Sequence, residues 1–144
     1  MPKLTEATRR RLVTAALLAR KRAVAPYSKF RVGAALLTAR GAIITGANVE
    51  SASYGLTCCA ERVALFKALT EGHTKFTAIA VAGAVAGGLM PCGACRQLLA
   101  EYAPDAIVLS LDSEEPKTVR TFTVAELLPH AFTHLCAGEA VDFA

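Results

Sequence analysis

Two short cysteine clusters restrict most strongly what this chain can fold into: Cys59-Ala60-Glu61, and Pro91-Cys92-Gly93-Ala94-Cys95. Each falls at a predicted helix start. Cys58–Thr70 is rich in helix formers and stops at Gly72. Pro91 opens a second helix that runs to about Tyr102, proline being suited to the first turn, where its missing N–H is not needed. Phe76–Ala82, between them, is an apolar run of β-preferring character. If the cysteines act together, the fold must bring two helix starts to one point.

The other segments supply the frame. Residues 5–22 read as a helix with Leu12, Ala15, Ala16 and Ala19 on one side and arginines on the other. Ala25-Pro26-Tyr27-Ser28 breaks it. Val32–Leu37 is a short apolar strand, Ala39-Arg40-Gly41 a hairpin turn, and Ala42–Val49 the returning strand, followed by a loop over Ser51–Gly55. Ile107–Leu111 is a further strand and Thr118–Thr123 a weaker one. Thr123 and Glu126 have the capping-box spacing that opens a short helix through Leu128. With no repeat and no linker, the expected architecture is one α/β domain over residues 1–144, with its core at about 4–132 and a short C-terminal tail. Strands that alternate with helices after an initial hairpin predict a mixed five-stranded sheet with helices on both faces, a three-layer α-β-α fold.

Apolar types make up 53% of the 144 residues and mean hydropathy is +0.39, so a membrane span has to be considered. From Phe76 to Cys95 no residue is charged, about the length of a span. Gly83, Gly87, Gly88, Pro91 and Gly93 interrupt that stretch, which reads instead as a buried strand, a Gly-rich loop and a helix start. The N-terminal MPKLTEATRRRL carries no apolar region, so no signal peptide and a cytoplasmic location are expected. Net charge is +4, and Arg9, Arg10, Arg11, Arg20, Lys21 and Arg22 cluster near the N-terminus. No aromatic residues interleave with them to stack on bases, so they read as the solvated face of a helix and not as a nucleic-acid patch.

The five cysteines are Cys58, Cys59, Cys92, Cys95 and Cys136. An odd count without a secretion signal argues against a disulfide framework. Taken alone, Cys92-x-x-Cys95 suits a zinc half-site, a redox dithiol or two core thiols, with metal modestly favoured. Cys59 shifts the balance. Neighbouring residues on a helix point about a hundred degrees apart, so Cys58 and Cys59 do not both suit one metal. Cys59, Cys92 and Cys95 then leave a fourth position open, the pattern of a catalytic rather than a structural zinc site. Three thiolates on Zn²⁺ carry a net charge of −1, which two helix N-termini aimed at the metal would offset. Arg62 and Arg96 follow the two clusters. Arg62 reads as an N–H donor to sulfur ahead of a surface charge; for Arg96 the two readings are even. Glu61, by itself an ordinary first-turn glutamate, becomes beside three zinc-spaced cysteines a base that reaches the open position.

A zinc ligand, x-Glu and a distant Pro-Cys-x-x-Cys form the signature of the zinc nucleobase deaminases in its three-cysteine version. From about Leu4 to Phe132 the chain resembles the small cytidine deaminases. The resemblance is carried by Pro26-Tyr27-Ser28-Lys29-Phe30, Val32-Gly33-Ala34-Ala35-Leu36, Gly46-Ala47-Asn48-Val49-Glu50, Ala52-Ser53-Tyr54-Gly55-Leu56-Thr57, Cys59-Ala60-Glu61-Arg62, Pro91-Cys92-Gly93-Ala94-Cys95-Arg96-Gln97 and Glu126-Leu127-Leu128-Pro129. It implies one zinc per chain on Cys59, Cys92 and Cys95, with Glu61 shuttling protons. It implies that Asn48 and Glu50 bind the ribose hydroxyls, that Phe30 packs against the pyrimidine, and that Ala60 lies in the substrate-binding set. It also implies a homotetramer in which Ala52, Tyr54 and Phe132 complete sites in neighbouring subunits. The implied reaction is attack of zinc-bound hydroxide on C4 of cytidine or deoxycytidine with loss of ammonia, as in pyrimidine salvage.

The chain departs from the family at Arg31, where proline is usual, and at Cys58, where an aliphatic is usual and which reads as a buried thiol. The loop Gly83–Met90 is short and apolar where many relatives carry acidic residues. His73, His130 and His134 lack ligand spacing with the cysteines and read as surface or interface residues. The alternatives are deamination of a modified nucleoside of the blasticidin type, against which Glu50 speaks, a non-enzymatic zinc-binding module, and deamination of polynucleotides, for which the chain has no insertions.

Overall fold

The computed structural model describes residues 3–133; His134, Cys136 and the rest of the C-terminal tail lie outside the described residues. The elements in chain order are α1 (Glu6–Arg20), β1 (Val32–Thr38), β2 (Ile43–Ala47), a single 3₁₀ turn over Tyr54–Leu56, α2 (Ala60–Thr70), β3 (Phe76–Gly83), α3 (Gly93–Tyr102), β4 (Ile107–Asp112), β5 (Val119–Thr123) and α4 (Val124–Leu127). The nine expected elements are present in the expected order. The sheet is mixed and five-stranded, in the order β2-β1-β3-β4-β5. β1 pairs antiparallel with β2 and with β3, β3 pairs parallel with β4, and β5 closes the far edge antiparallel to β4. No helix is long and apolar enough to cross a membrane among the described residues.

Side-chain alternation sorts the core into two layers. Val32, Ala34, Leu36, Ile79, Val81 and Val108 face α2, α3 and α4. Ala35, Leu37, Ala78, Ala80, Ala82, Leu109 and Leu111 face α1 through Leu12 and Ala16. β1 and β4 are buried along their whole length, as strands covered on both faces must be. The arginine-rich side of α1 faces outward: Arg10, Arg11, Lys21 and Arg22 are exposed, while Arg9 donates to Thr121 Oγ1 on β5 and Arg20 to the carbonyl of Arg31.

Several boundaries move, each for a local reason. α2 begins at Ala60 and α3 at Gly93, because Cys59 and Cys92 take extended N-cap backbone (ψ 152° and 167°). Pro91 therefore precedes the cap and is not in the first turn of α3. β2 ends at Ala47, since Val49 leaves the hairpin to bridge Val24 and Cys58. That bridge leaves Cys58 half-buried, not buried as expected. The segment read as loop contains the 3₁₀ turn at Tyr54–Leu56. The capping box forms as spaced: Glu126 N donates to Thr123 Oγ1 and Thr123 N to Glu126 Oε2.

Topology explains why the helix starts converge. β1 is antiparallel to both neighbours, so β2 and β3 run in the same direction. The connections leaving β2 and β3 lead to α2 and α3, so both helices start at one edge of the sheet, beyond the carboxyl ends of these strands, where ligands bind in open α/β sheets. β1 starts at that edge, with Val32 opposite Gly83 and Gly33 opposite Ala47.

Two glycines set the helix-to-sheet spacing. A Cβ on Gly33 would overlap the Ala16 carbonyl and the Arg20 backbone, and one on Gly46 would lie 2.5 Å from Ala60 O and from Ala64 N. Gly33→Ala and Gly46→Ala are therefore expected to destabilise the fold by about 1–3 kcal/mol each. Gly55→Ala, where a Cβ meets nothing within 4 Å, should leave thermal unfolding unchanged. Melting curves of the three variants check this.

Candidate functional site

At the shared edge, Cys59, Cys92 and Cys95 bring their Sγ atoms within 4.8 Å of one another. Cys59 Sγ lies 3.7 Å from Cys92 Sγ, which lies 3.5 Å from Cys95 Sγ. Four ligands placed tetrahedrally at a Zn–S distance of about 2.3 Å require sulfurs about 3.8 Å apart, so the donor set fits zinc. Cys58 is not among them. The three sulfurs grade from buried at Cys95 through Cys59 to exposed at Cys92, so the cluster is held from within and approachable from outside.

The local backbone explains the placement. Cys59 and Cys92 are N-caps, and neither side chain caps its own helix. Both sulfurs are thus free to point forward, and the first-turn N–H groups of α2 and α3 present their partial positive charge to the cluster. Cys95 and Glu61 lie in the first turns that follow. Glu61 is 5% exposed, and the Cys95 thiol is close enough to act on its carboxyl. A buried carboxyl with so little polar company is costly to ionise, and burial is the main reason its pKa is raised. The Cys59 thiol is drawn down to about 5, first by its hydrogen bond with Cys95, against desolvation, and then by Arg62 and Cys92. Cys95 is pushed the other way by the same bond with Cys59 and by burial.

The two arginines differ. Arg62 donates to the Thr57 carbonyl (3.1 Å) and reaches Cys59 Sγ (3.5 Å), the contact that a donor to sulfur would make; its buried Nε has no partner among the described residues. Arg96 takes neither expected role. Its Nε donates to Pro91 O (2.7 Å) and its Nη1 to Leu127 O (3.0 Å), which ties the turn carrying Cys92 to the end of α4. Chain spacing holds no signal for that brace.

The remaining expected site residues fall into two groups. Phe30, Asn48 and Glu50 lie at the same sheet edge. Asn48 is buried, accepting from Val32 N and donating to Phe30 O (both 2.8 Å). Glu50 Oε1 accepts from Tyr27 N (3.0 Å) and Ser28 N (3.1 Å); contacts with Ser28, foremost its side chain, lower the Glu50 pKa. Ala60, the first residue of α2, is wholly buried and carries no polar side-chain group. Ala52, Tyr54 and Phe132 are exposed, Tyr54 at 81% and Phe132 at 66%, and Gln97 Nε2 holds the Phe132 carbonyl. His73 is half-buried and His130 exposed, outside the sulfur cluster.

Arg62→Gln removes the guanidinium beside the Cys59 sulfur and should weaken zinc binding about 10- to 100-fold with the fold retained. Competition with a chromophoric chelator measures this; an unchanged affinity would show that the contact does not support the ligands.

Comparison with known proteins is consistent with this arrangement. Residues 6–111 match the family model described as the cytidine and deoxycytidylate deaminase zinc-binding region. A cytidine deaminase of Halalkalibacterium halodurans is 50% identical over 125 residues, which cover 87% of this chain and 94% of that protein. The crystal structure of a cytidine deaminase from Burkholderia pseudomallei superposes with a TM-score of 0.83 at 47% identity, covering 90% of this chain and all of that one. A blasticidin-S deaminase of Bacillus cereus is more distant, 36% identical over 114 residues, covering 74% of this chain and 79% of that protein. With the family model spanning most of the chain and half of the aligned residues shared with a named member, this chain belongs to the cytidine and deoxycytidylate deaminase family.

Proposed function

We propose that the chain hydrolyses the exocyclic amine of cytidine and 2′-deoxycytidine, giving uridine or 2′-deoxyuridine and ammonia, as in pyrimidine salvage. The observation that carries this reading is a buried glutamate beside a three-cysteine, zinc-sized cluster that is open on one side. On this reading Cys59, Cys92 and Cys95 hold one zinc ion per chain. The zinc supplies the Lewis acidity that makes water nucleophilic toward C4 near neutral pH.

Glu61 moves the protons. It takes the proton that the attacking water gives up and delivers it to N3 of the pyrimidine, which makes C4 electrophilic. It then takes the proton of the new C4 hydroxyl and delivers it to the amine, so that the C4–N bond breaks and ammonia leaves as the C4 carbonyl forms. Its burial keeps that proton out of bulk water and beside the reacting atoms. Phe30 lies against the base. The second carboxylate oxygen of Glu50, and the donor and acceptor capacity that Asn48 keeps after its two backbone bonds, meet the ribose hydroxyls. The Ala60 N–H at the start of α2 completes the substrate-binding set. A cytoplasmic location suits four free cysteines among the described residues, since thiolate ligands persist in reducing compartments. The blasticidin-type alternative is weaker, because Glu50 suits an unmodified ribose.

Ala52, Tyr54 and Phe132 complete sites in neighbouring subunits of a homotetramer. Support for this comes from the exposure of Tyr54, Leu56, Phe132, Val24, Tyr27 and Val49, large apolar groups left open on an isolated chain.

Glu61→Gln tests the chemistry. Ultraviolet-monitored conversion of cytidine should fall about 10²–10⁴-fold with metal content unchanged; turnover near that of the wild type would overturn the role given to Glu61. Sedimentation tests the assembly. The particle should be about four times the 15.1 kDa chain mass, and Tyr54→Ala should lower activity together with that size. A fully active monomer would contradict shared sites.

A further inference from the structure

The residues proposed to bind ribose also hold the loop that carries Phe30. Glu50 Oε1 accepts from the consecutive amides of Tyr27 and Ser28, at 3.0 and 3.1 Å. Ser28 Oγ accepts from Phe30 N at 2.9 Å, and the Phe30 carbonyl accepts from Asn48 Nδ2 at 2.8 Å. Both backbone polar groups of Phe30 are thus taken, one by Ser28 and one by Asn48. Lys29, between Ser28 and Phe30, has φ +60°, a conformation that a residue with a Cβ adopts only when its surroundings hold it there. Ser28 itself is exposed. Its one recorded side-chain acceptor role is toward Phe30, and its side chain is also the largest influence on the Glu50 carboxylate.

We propose that Ser28 is a positioning residue that couples ribose recognition at Glu50 to the placement of Phe30 against the base. This rests on the substrate reading given above. When a sugar hydroxyl engages the free oxygen of Glu50, the carboxylate is fixed. The two amides it holds are fixed with it, and the Ser28 hydroxyl passes that order to the Phe30 backbone. The specificity of the site for a nucleoside over a bare base, or over a sugar lacking the 3′-hydroxyl, then depends partly on a side chain that touches neither the reacting atoms nor the sugar.

The test compares the zinc-loaded wild type, Ser28→Ala and Ser28→Thr on cytidine and on 2′,3′-dideoxycytidine. Loss of one hydrogen bond of this kind corresponds to about a two- to tenfold change. Ser28→Ala should raise KM for cytidine by about that factor with little change in kcat, in zinc content or in melting temperature. It should change kcat/KM for the dideoxy substrate by less than about twofold, and Ser28→Thr should restore cytidine kinetics. Equal losses on both substrates, a loss in kcat alone, or no loss at all would overturn the proposal while leaving the deaminase reading intact. A wild type that turns over neither substrate would overturn the substrate reading and this inference with it.

Discussion

On the proposed reading, three thiolates around one divalent cation leave a net negative charge at a site that must also accept an electron pair, and much of the fold answers that difficulty. The antiparallel placement of β1 between two strands of common direction brings the starts of α2 and α3 to one edge. Both helices begin on a cysteine whose side chain does not cap its own helix. The partial charges of two helix N-termini and the guanidinium of Arg62 then act on the same few ångströms. Gly46 allows α2 to lie close enough to β2 for this to happen. Arg96 fixes the second cysteine turn from the other side by joining Pro91 to the end of α4.

The same edge carries a second network, built without cysteine. Asn48 and Glu50 emerge just past β2 and spend part of their hydrogen-bonding capacity on the backbone of residues 27–32. A ligand pocket is often described as a set of side chains waiting for substrate. Here the same atoms build the loop and, on the proposed reading, meet the sugar, so preorganisation and recognition are not separable contributions. Arg31 departs from the family's proline within this loop, and its carbonyl is held by Arg20 of α1. The loop is thereby anchored to the opposite layer of the fold by a contact that proline would not prevent, because it uses the carbonyl and not the N–H.

Element type and order were legible because the chain follows local rules: short apolar runs at β1 and β3, arginines opposite alanines in α1, and a capping box at Thr123. Boundaries were less legible where a tertiary contact decides them. Cys58 reads as the start of a helix, yet its pairing with Val49 holds it extended, and α2 waits until Ala60. The sulfur cluster was readable because spacing on a helix start is geometry that sequence encodes directly. Arg96 was undecided because its partners are carbonyls of Pro91 and Leu127, and a backbone acceptor has no residue identity for sequence to display. Ser28 was visible within a motif but had no role, since its partner is likewise a backbone amide.

The account stands on three sulfurs and one open position around a single zinc ion. Zinc-edge X-ray absorption of the purified, metal-assayed protein tests this most directly. It should show three sulfur scatterers at about 2.3 Å and one oxygen or nitrogen at about 2.0–2.2 Å. A shell of four sulfurs would bring a further cysteine, Cys58 or Cys136, into a closed structural site and leave no position for water or substrate, contradicting the account. A protein that takes up no zinc at all would contradict it as well.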